Sequence, residues 1–93
     1  MDVDRLRVVA QEAFSLVRTH KIEADKFFDL CFKAGEWEEV VEGAVTYLRD
    51  AGIEPPADIV RMASLVAKER QEFYALQEQR AQDALNALRQ TDK

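Results

Sequence analysis

Pro55-Pro56-Ala57-Asp58-Ile59-Val60-Arg61-Met62-Ala63-Ser64-Leu65-Val66-Ala67-Lys68-Glu69-Arg70 opens a stretch that reaches Lys93 without another Gly or Pro. Nearly every residue in it is a good helix former. Ile59, Met62, Ala63, Val66, Phe73, Ala81, Ala84 and Leu88 recur on one helical face. As one helix over about 56–89 it measures roughly 50 Å at about 1.5 Å per residue. Pro at or near its first position suits a helix start, where the missing N–H has no intrahelical use. The other readable helices are about half as long. A long helix beside short ones leaves part of its apolar face without an intrachain partner, which implies a second polypeptide.

Three shorter helices precede it. The first spans about 2–18, with Leu6, Val9, Ala10, Ala13, Phe14 and Val17 on one face and Asp2 or Asp4 as the N-cap. The second spans about 22–34. Phe27, Phe28, Leu30, Cys31 and Phe32 cover more than half its circumference, so it is expected to be mostly buried and central to the core. Gly35 supplies its left-handed C-cap. The third spans about 36–50, with Trp37, Val41, Ala44 and Leu48 inward, Val40 and Tyr47 flanking, and a weakened capping box from Gly35 to Glu38. Gly52 ends it, and Ile53-Glu54-Pro55-Pro56 forms a rigid connector. The expected fold is all-α: a single domain over 1–93, a small four-helix bundle packed around Phe14, Phe27, Phe28, Cys31, Val41, Leu48 and Met62. Residues 77–93 are expected to extend beyond that core, with Arg70 and Gln77 interrupting the apolar stripe at its solvated edge.

The stretch Lys33-Ala34-Gly35-Glu36-Trp37-Glu38-Glu39-Val40-Val41-Glu42, followed by Leu48-Arg49-Asp50-Ala51-Gly52-Ile53-Glu54-Pro55, resembles one hairpin of a tetratricopeptide or pentatricopeptide repeat. The resemblance covers about a third of the chain. Phe28 replaces a small residue of the tetratricopeptide pattern, Val40 its turn-facing Ala, and no second copy follows, whereas solenoids need about three repeats. It is read as shared αα-hairpin grammar rather than family membership, and it implies antiparallel packing of helices 2 and 3.

Composition narrows the chemistry. The net charge is −5, and residues 22–51 carry the imbalance with eight acidic against three basic side chains. Phosphate contacts need clustered Lys and Arg, so nucleic acid is disfavoured as the main partner. Helix 3 presents glutamates where a helix-turn-helix reader presents basic or polar residues. The chain has one His and one Cys. No zinc-ligand spacing, nucleophile–base pair or cofactor motif is present, and no enzyme, metal, cofactor or small-molecule substrate is expected. Cys31 reads as a small core residue. An acidic N-terminal stretch and the lack of a long apolar run give no expectation of a secretory signal or membrane span, and the expected setting is cytoplasmic.

The expected function is therefore non-enzymatic: a small interaction or regulatory protein that occupies or masks a surface of another protein, of itself as a homodimer, or both. A phage or mobile-element accessory factor fits this profile. Glu38, Glu39 and Glu42, within about a turn of one another, are the candidate partner-binding residues. Their neutralisation is expected to leave the fold intact. Phe73, Leu76, Ala81, Ala84, Leu85 and Leu88 are the candidate oligomer interface. The alternative is a nucleic-acid-pathway protein that mimics DNA through its acidic face or binds weakly through Arg5, Arg7, Arg18 and Lys21.

Overall fold

The computed structural model describes residues 1–91 and contains four helices: α1 (Val3–Thr19), α2 (Lys26–Lys33), α3 (Trp37–Asp50) and α4 (Ala57–Thr91). The fold is all-α with a long, protruding C-terminal helix. Helix α1 starts where the Asp2 carboxylate accepts the backbone N–H groups of Asp4 and Arg5 at 3.0 and 3.2 Å, two donors that the helix itself leaves free. It buries Leu6, Val9, Ala10, Ala13 and Val17. Its largest contact is with α3, which buries Val40, Val41, Ala44 and Leu48. Helix α4 closes the core with Ile59, Met62 and Val66.

Helix α2 departs from the expectation in two ways. It begins at Lys26 rather than near Ile22, because the Asp25 side chain caps it by accepting the Phe28 N–H at 2.9 Å. Lys21 already leaves the helical region with φ of 54°, and Ile22 donates back to the Val17 carbonyl at 3.2 Å to close α1. At eight residues α2 makes only two turns and is not the centre of the core. Phe28 and Cys31 are buried, but Phe27 is 65% exposed and Leu30 59% exposed. The physical reason is geometric: α2 packs on one side only, and the other side of so short a helix receives no cover from α4. Phe14, also expected in the core, is partly buried at its edge.

Aromatic rings carry α2 onto its neighbours. Phe14 stacks on Phe32 at 3.9 Å and on Phe28 at 5.4 Å between centroids. Phe28 meets Tyr47 edge-on at 5.3 Å, and Phe32 meets Trp37 at 5.8 Å. Partners on α3 thus run backwards as α2 runs forwards, which is the antiparallel hairpin expected of residues 33–55. The Tyr47 hydroxyl also accepts the Asp25 backbone N–H at 3.0 Å, tying the start of α2 to α3.

The two interhelix turns use left-handed glycines. Gly35 at φ 73° lets Glu36 N–H reach the Cys31 carbonyl at 2.9 Å, and Gly52 at φ 78° lets Ile53 N–H reach the Leu48 carbonyl at 2.8 Å. The expected capping box from Gly35 to Glu38 does not form. Glu36 is the N-cap of α3, without a side-chain cap bond, because the Glu38 and Glu39 carboxylates turn toward α4 instead.

The molecule measures 64 × 25 × 24 Å, with a radius of gyration of 18.0 Å. A compact domain of this length has about 12–13 Å. The excess is α4: its 35 residues span roughly 52 Å, and from Gln71 to Thr91 every side chain is exposed. The projecting segment expected at 77–93 therefore begins about two turns earlier. Asp92 and Lys93 lie outside the described residues.

Candidate functional site: the projecting helix and the acidic patch at its base

Two surfaces meet where α4 leaves the bundle. The first is the glutamate patch of α3. Glu38 and Glu39 lie in its first turn, where the positive end of the helix dipole favours carboxylates, and Glu42 follows one turn on. Arg70 of α4 reaches all three. One guanidinium nitrogen, Nη2, lies 2.6 Å from Glu42, 3.3 Å from Glu39 and 4.0 Å from Glu38. It also donates a hydrogen bond to Glu39. The Glu42 Oε1 is buried against the guanidinium in a charge contact, without the alignment of a good hydrogen bond. Burial works to lower the Arg70 pKa, but the three carboxylates outweigh it and hold the guanidinium even more firmly protonated than usual.

Arg70 therefore does not sit solvated beyond the bundle edge. It is half-buried and is the organising cation of the patch. Sequence reading missed this because the pairing joins residues about thirty positions apart. The available signal was the flank of α4 after Val66, which in an antiparallel α3–α4 pair faces the start of α3. The patch retains a negative excess, since one guanidinium meets three carboxylates.

Beside the patch, between α2 and α3, lies an open cleft of about 310 Å³. Phe27, Phe28 and Cys31 form one wall, Gly43 and Tyr47 the floor, and Arg70 part of the rim. Gly43 is a residue that sequence reading passed over. A Cβ placed there would lie 3.0 Å from the Phe28 ring, so the absence of a side chain lets that ring lie flat on α3. Burial pushes the Cys31 thiol pKa up, and the negative charges of Glu39, Glu36 and Asp25 add to it. The group is kept as an unreactive thiol, as expected of a core cysteine.

The second surface is the exposed length of α4. Phe73, Tyr74, Leu76, Leu85 and Leu88 are each about half exposed or more, and Ala81 and Ala84 lie between them, exposed along the same projection. By helical rotation of about 100° per residue, Phe73, Tyr74, Ala81, Ala84, Leu85 and Leu88 share an arc of about 120°. Leu76 falls outside it. The charged residues Glu72, Glu78, Arg80, Asp83 and Arg89 flank this arc or lie opposite it. Only local polar contacts support the segment, such as Gln79 to Asp83 at 3.0 Å and Gln82 to Asn86 at 3.4 Å.

The basic residues Arg5, Arg7, Arg18 and Lys21, on α1 and just after it, are all exposed. Arg7 lies 3.8 Å from Asp4, and Arg18 sits over the Phe14 ring at 5.2 Å. Among the described residues, no cluster of His, Cys, Asp or Glu could hold a metal ion, and no helix is long and apolar enough to cross a membrane. No family model matches the chain, and no curated protein or solved structure is significantly similar to it.

Proposed function

We propose that this chain is a protein-interaction module whose working element is the projecting half of α4, with the acidic patch at its base selecting the polypeptide that covers it. The observation that carries the reading is the apolar arc from Phe73 to Leu88, exposed over about 23 Å of helix. Isolated helices of this length are marginal in water, and most helical stability in proteins comes from tertiary packing. Large contiguous apolar surfaces mark interaction sites. The reading needs no chemistry beyond burial of that arc, which occupies or masks a complementary surface. The net negative patch favours partners with basic groups beside their apolar contacts. A reducing compartment such as the cytoplasm suits the lone free cysteine.

Affinity capture from native lysate, comparing the full chain with a Leu85→Glu, Leu88→Glu variant, tests the reading. The expected result is a polypeptide, either another protein or a further copy of this one, held by the wild type and lost by the variant. Equal capture by both, or no capture by either, contradicts it.

A further inference from the structure

The cleft between α2 and α3 lies apart from the projecting arc and carries its own chemistry. Its aromatic wall holds two unlike rings. Phe28 is buried, fixed by Phe14, Tyr47 and the bare Gly43. Phe27, which also lines the cleft, is 65% exposed and has ring surface left for a further contact. The hydroxyls of the lining are already engaged. Thr46 donates back to the Glu42 carbonyl at 3.3 Å, and Tyr47 accepts the Asp25 N–H at 3.0 Å. Asp25 is itself the cap of α2. The polar capacity that remains is mainly carboxylate oxygen at Glu39 and Glu42, both partly exposed, and a carboxylate only accepts.

Arg70 at the rim does not cancel the charge. Its Nη2 is shared among Glu38, Glu39 and Glu42, and Asp25 adds another carboxylate to the lining. The sign of the field is felt at Cys31 on the same wall: beyond the effect of burial, Glu39, Glu36 and Asp25 all act to keep its thiol protonated. An anion is therefore disfavoured. The group that fits has hydrogen-bond donors, a positive charge and an apolar stem.

We propose that the cleft receives an arginine side chain of a partner polypeptide, its stem along Phe27 and its guanidinium against Glu39 and Glu42. The proposal rests on the interaction reading above and names the group by which the partner is selected. Arginine meets every requirement of the lining. It has five donors and no acceptor, forks onto carboxylates, stacks on aromatic faces and is more weakly hydrated than an ammonium. The form of the cleft favours a tethered side chain over a free small molecule. The cleft is open, and about 310 Å³ is at the lower end of ligand-pocket sizes. A free ligand needs a pocket that surrounds it, whereas a side chain held by a docked polypeptide needs cover on one side only. Leu30, one turn after Phe27 and 59% exposed, continues the apolar surface for the polypeptide that carries it.

Titration of the ¹⁵N-labelled full chain with N-acetyl-arginine amide, followed by amide chemical shifts, tests the site. The neutral isostere N-acetyl-citrulline amide is the control. The expected result is a saturable shift of the Phe27, Cys31, Gly43 and Thr46 amides at about millimolar probe, as one cation–aromatic contact and a charge-assisted hydrogen bond allow. A Phe27→Ala, Glu39→Gln variant changes only exposed side chains, its spectrum reports its own folding, and its affinity for the probe should fall about tenfold. Shifts that do not saturate, that scatter over the surface, or that citrulline reproduces overturn the site. Native-lysate capture with the same variant separates this proposal from the reading beneath it. Loss of the captured polypeptide supports the cleft as its selecting site. Capture that persists in this variant but is lost on Leu85→Glu, Leu88→Glu overturns the cleft's role and leaves the interaction reading standing. No capture by the wild type overturns both.

Discussion

Arg70 and Glu42, on different helices, lie 2.6 Å apart at the point where α4 leaves the bundle. Their contact joins the core to the projecting segment and sets the charge of the surface beside it. Replacing Arg70 with Ala leaves three carboxylates at the start of α3 without their cation. The side chains are about a third exposed, so the loss should be about 1–2 kcal/mol, more than a fully exposed pair and less than a buried one. Urea unfolding measures it, and added salt should narrow the gap between variant and wild type.

The same pair changes what neutralising the patch should do. Taken alone, Glu38, Glu39 and Glu42 repel one another, and changing all three to Gln would be neutral or slightly stabilising. With Arg70 among them, the triple change strands a half-buried guanidinium. The expected result is a loss of about 0.5–1 kcal/mol. Unchanged or increased stability in thermal unfolding would mean that the cluster contributes nothing in solution.

Much of the fold was legible because it depends on local periodicity and caps. The inward rows of α1 and α3, the left-handed Gly35 and Gly52, and the long Gly- and Pro-free α4 all follow from neighbours within a few residues. What escaped depends on distant parts of the chain. The apolar arc of α2 looked like a buried helix, yet whether Phe27 is covered depends on how far α4 stands from it. Arg70 looked like an interruption of a stripe, and only the packing of α4 on α3 makes it the partner of three glutamates. In the candidate site, the residues of the α4 arc were visible from spacing, except that Leu76 falls outside the arc. The cation at the centre of the patch was not visible.

Phe27 and Phe28 are sequence neighbours with opposite surroundings, 65% and 4% exposed. Phe28→Ala should cost about 3–5 kcal/mol by opening a cavity among Phe14, Tyr47 and Gly43. That is a large part of the total stability expected for a domain of this size. Phe27→Ala should stay within about 0.5 kcal/mol in isolation. Similar losses at both positions, read by denaturant midpoint, would contradict the observed orientation of α2.

Gly43→Ala sets two effects against each other. Alanine improves helix propensity by up to about 1 kcal/mol, but its methyl would meet the Phe28 ring at 3.0 Å. That ring is hemmed in by Phe14 and Tyr47, and overpacking typically costs about 1–3 kcal/mol. A net loss of about 1 kcal/mol is expected. A stabilised variant would show that the ring gives way.

Glu12 faces Asp58 across the α1–α4 contact. Burial raises its pKa, and the hydrogen bond and charge of Asp58 raise it further, against a lowering by Arg5. A carboxyl whose folded pKa lies above its unfolded value disfavours the folded state at neutral pH, and this penalty fades as pH falls through the folded value. Glu12→Gln should therefore stabilise slightly at pH 7, by no more than about 0.5 kcal/mol. The advantage should shrink on acidification into the carboxylate range. Thermal unfolding of both proteins across pH 3–7 checks the sign; an advantage that grows toward acid would contradict it.

The central claim is that the outer half of α4 exists to be covered. Every core residue precedes Arg70, so ending the chain after Gln77 removes most of the apolar arc and no core side chain. Sedimentation equilibrium of the full and shortened chains, over a range of micromolar concentrations and with circular dichroism to confirm folding, is the most direct measurement. The expected result is a full chain heavier than its 10.7 kDa monomer and a shortened chain that is helical and monomeric. A full chain that stays monomeric throughout and takes up no other protein, or a shortened chain that unfolds, would contradict the account.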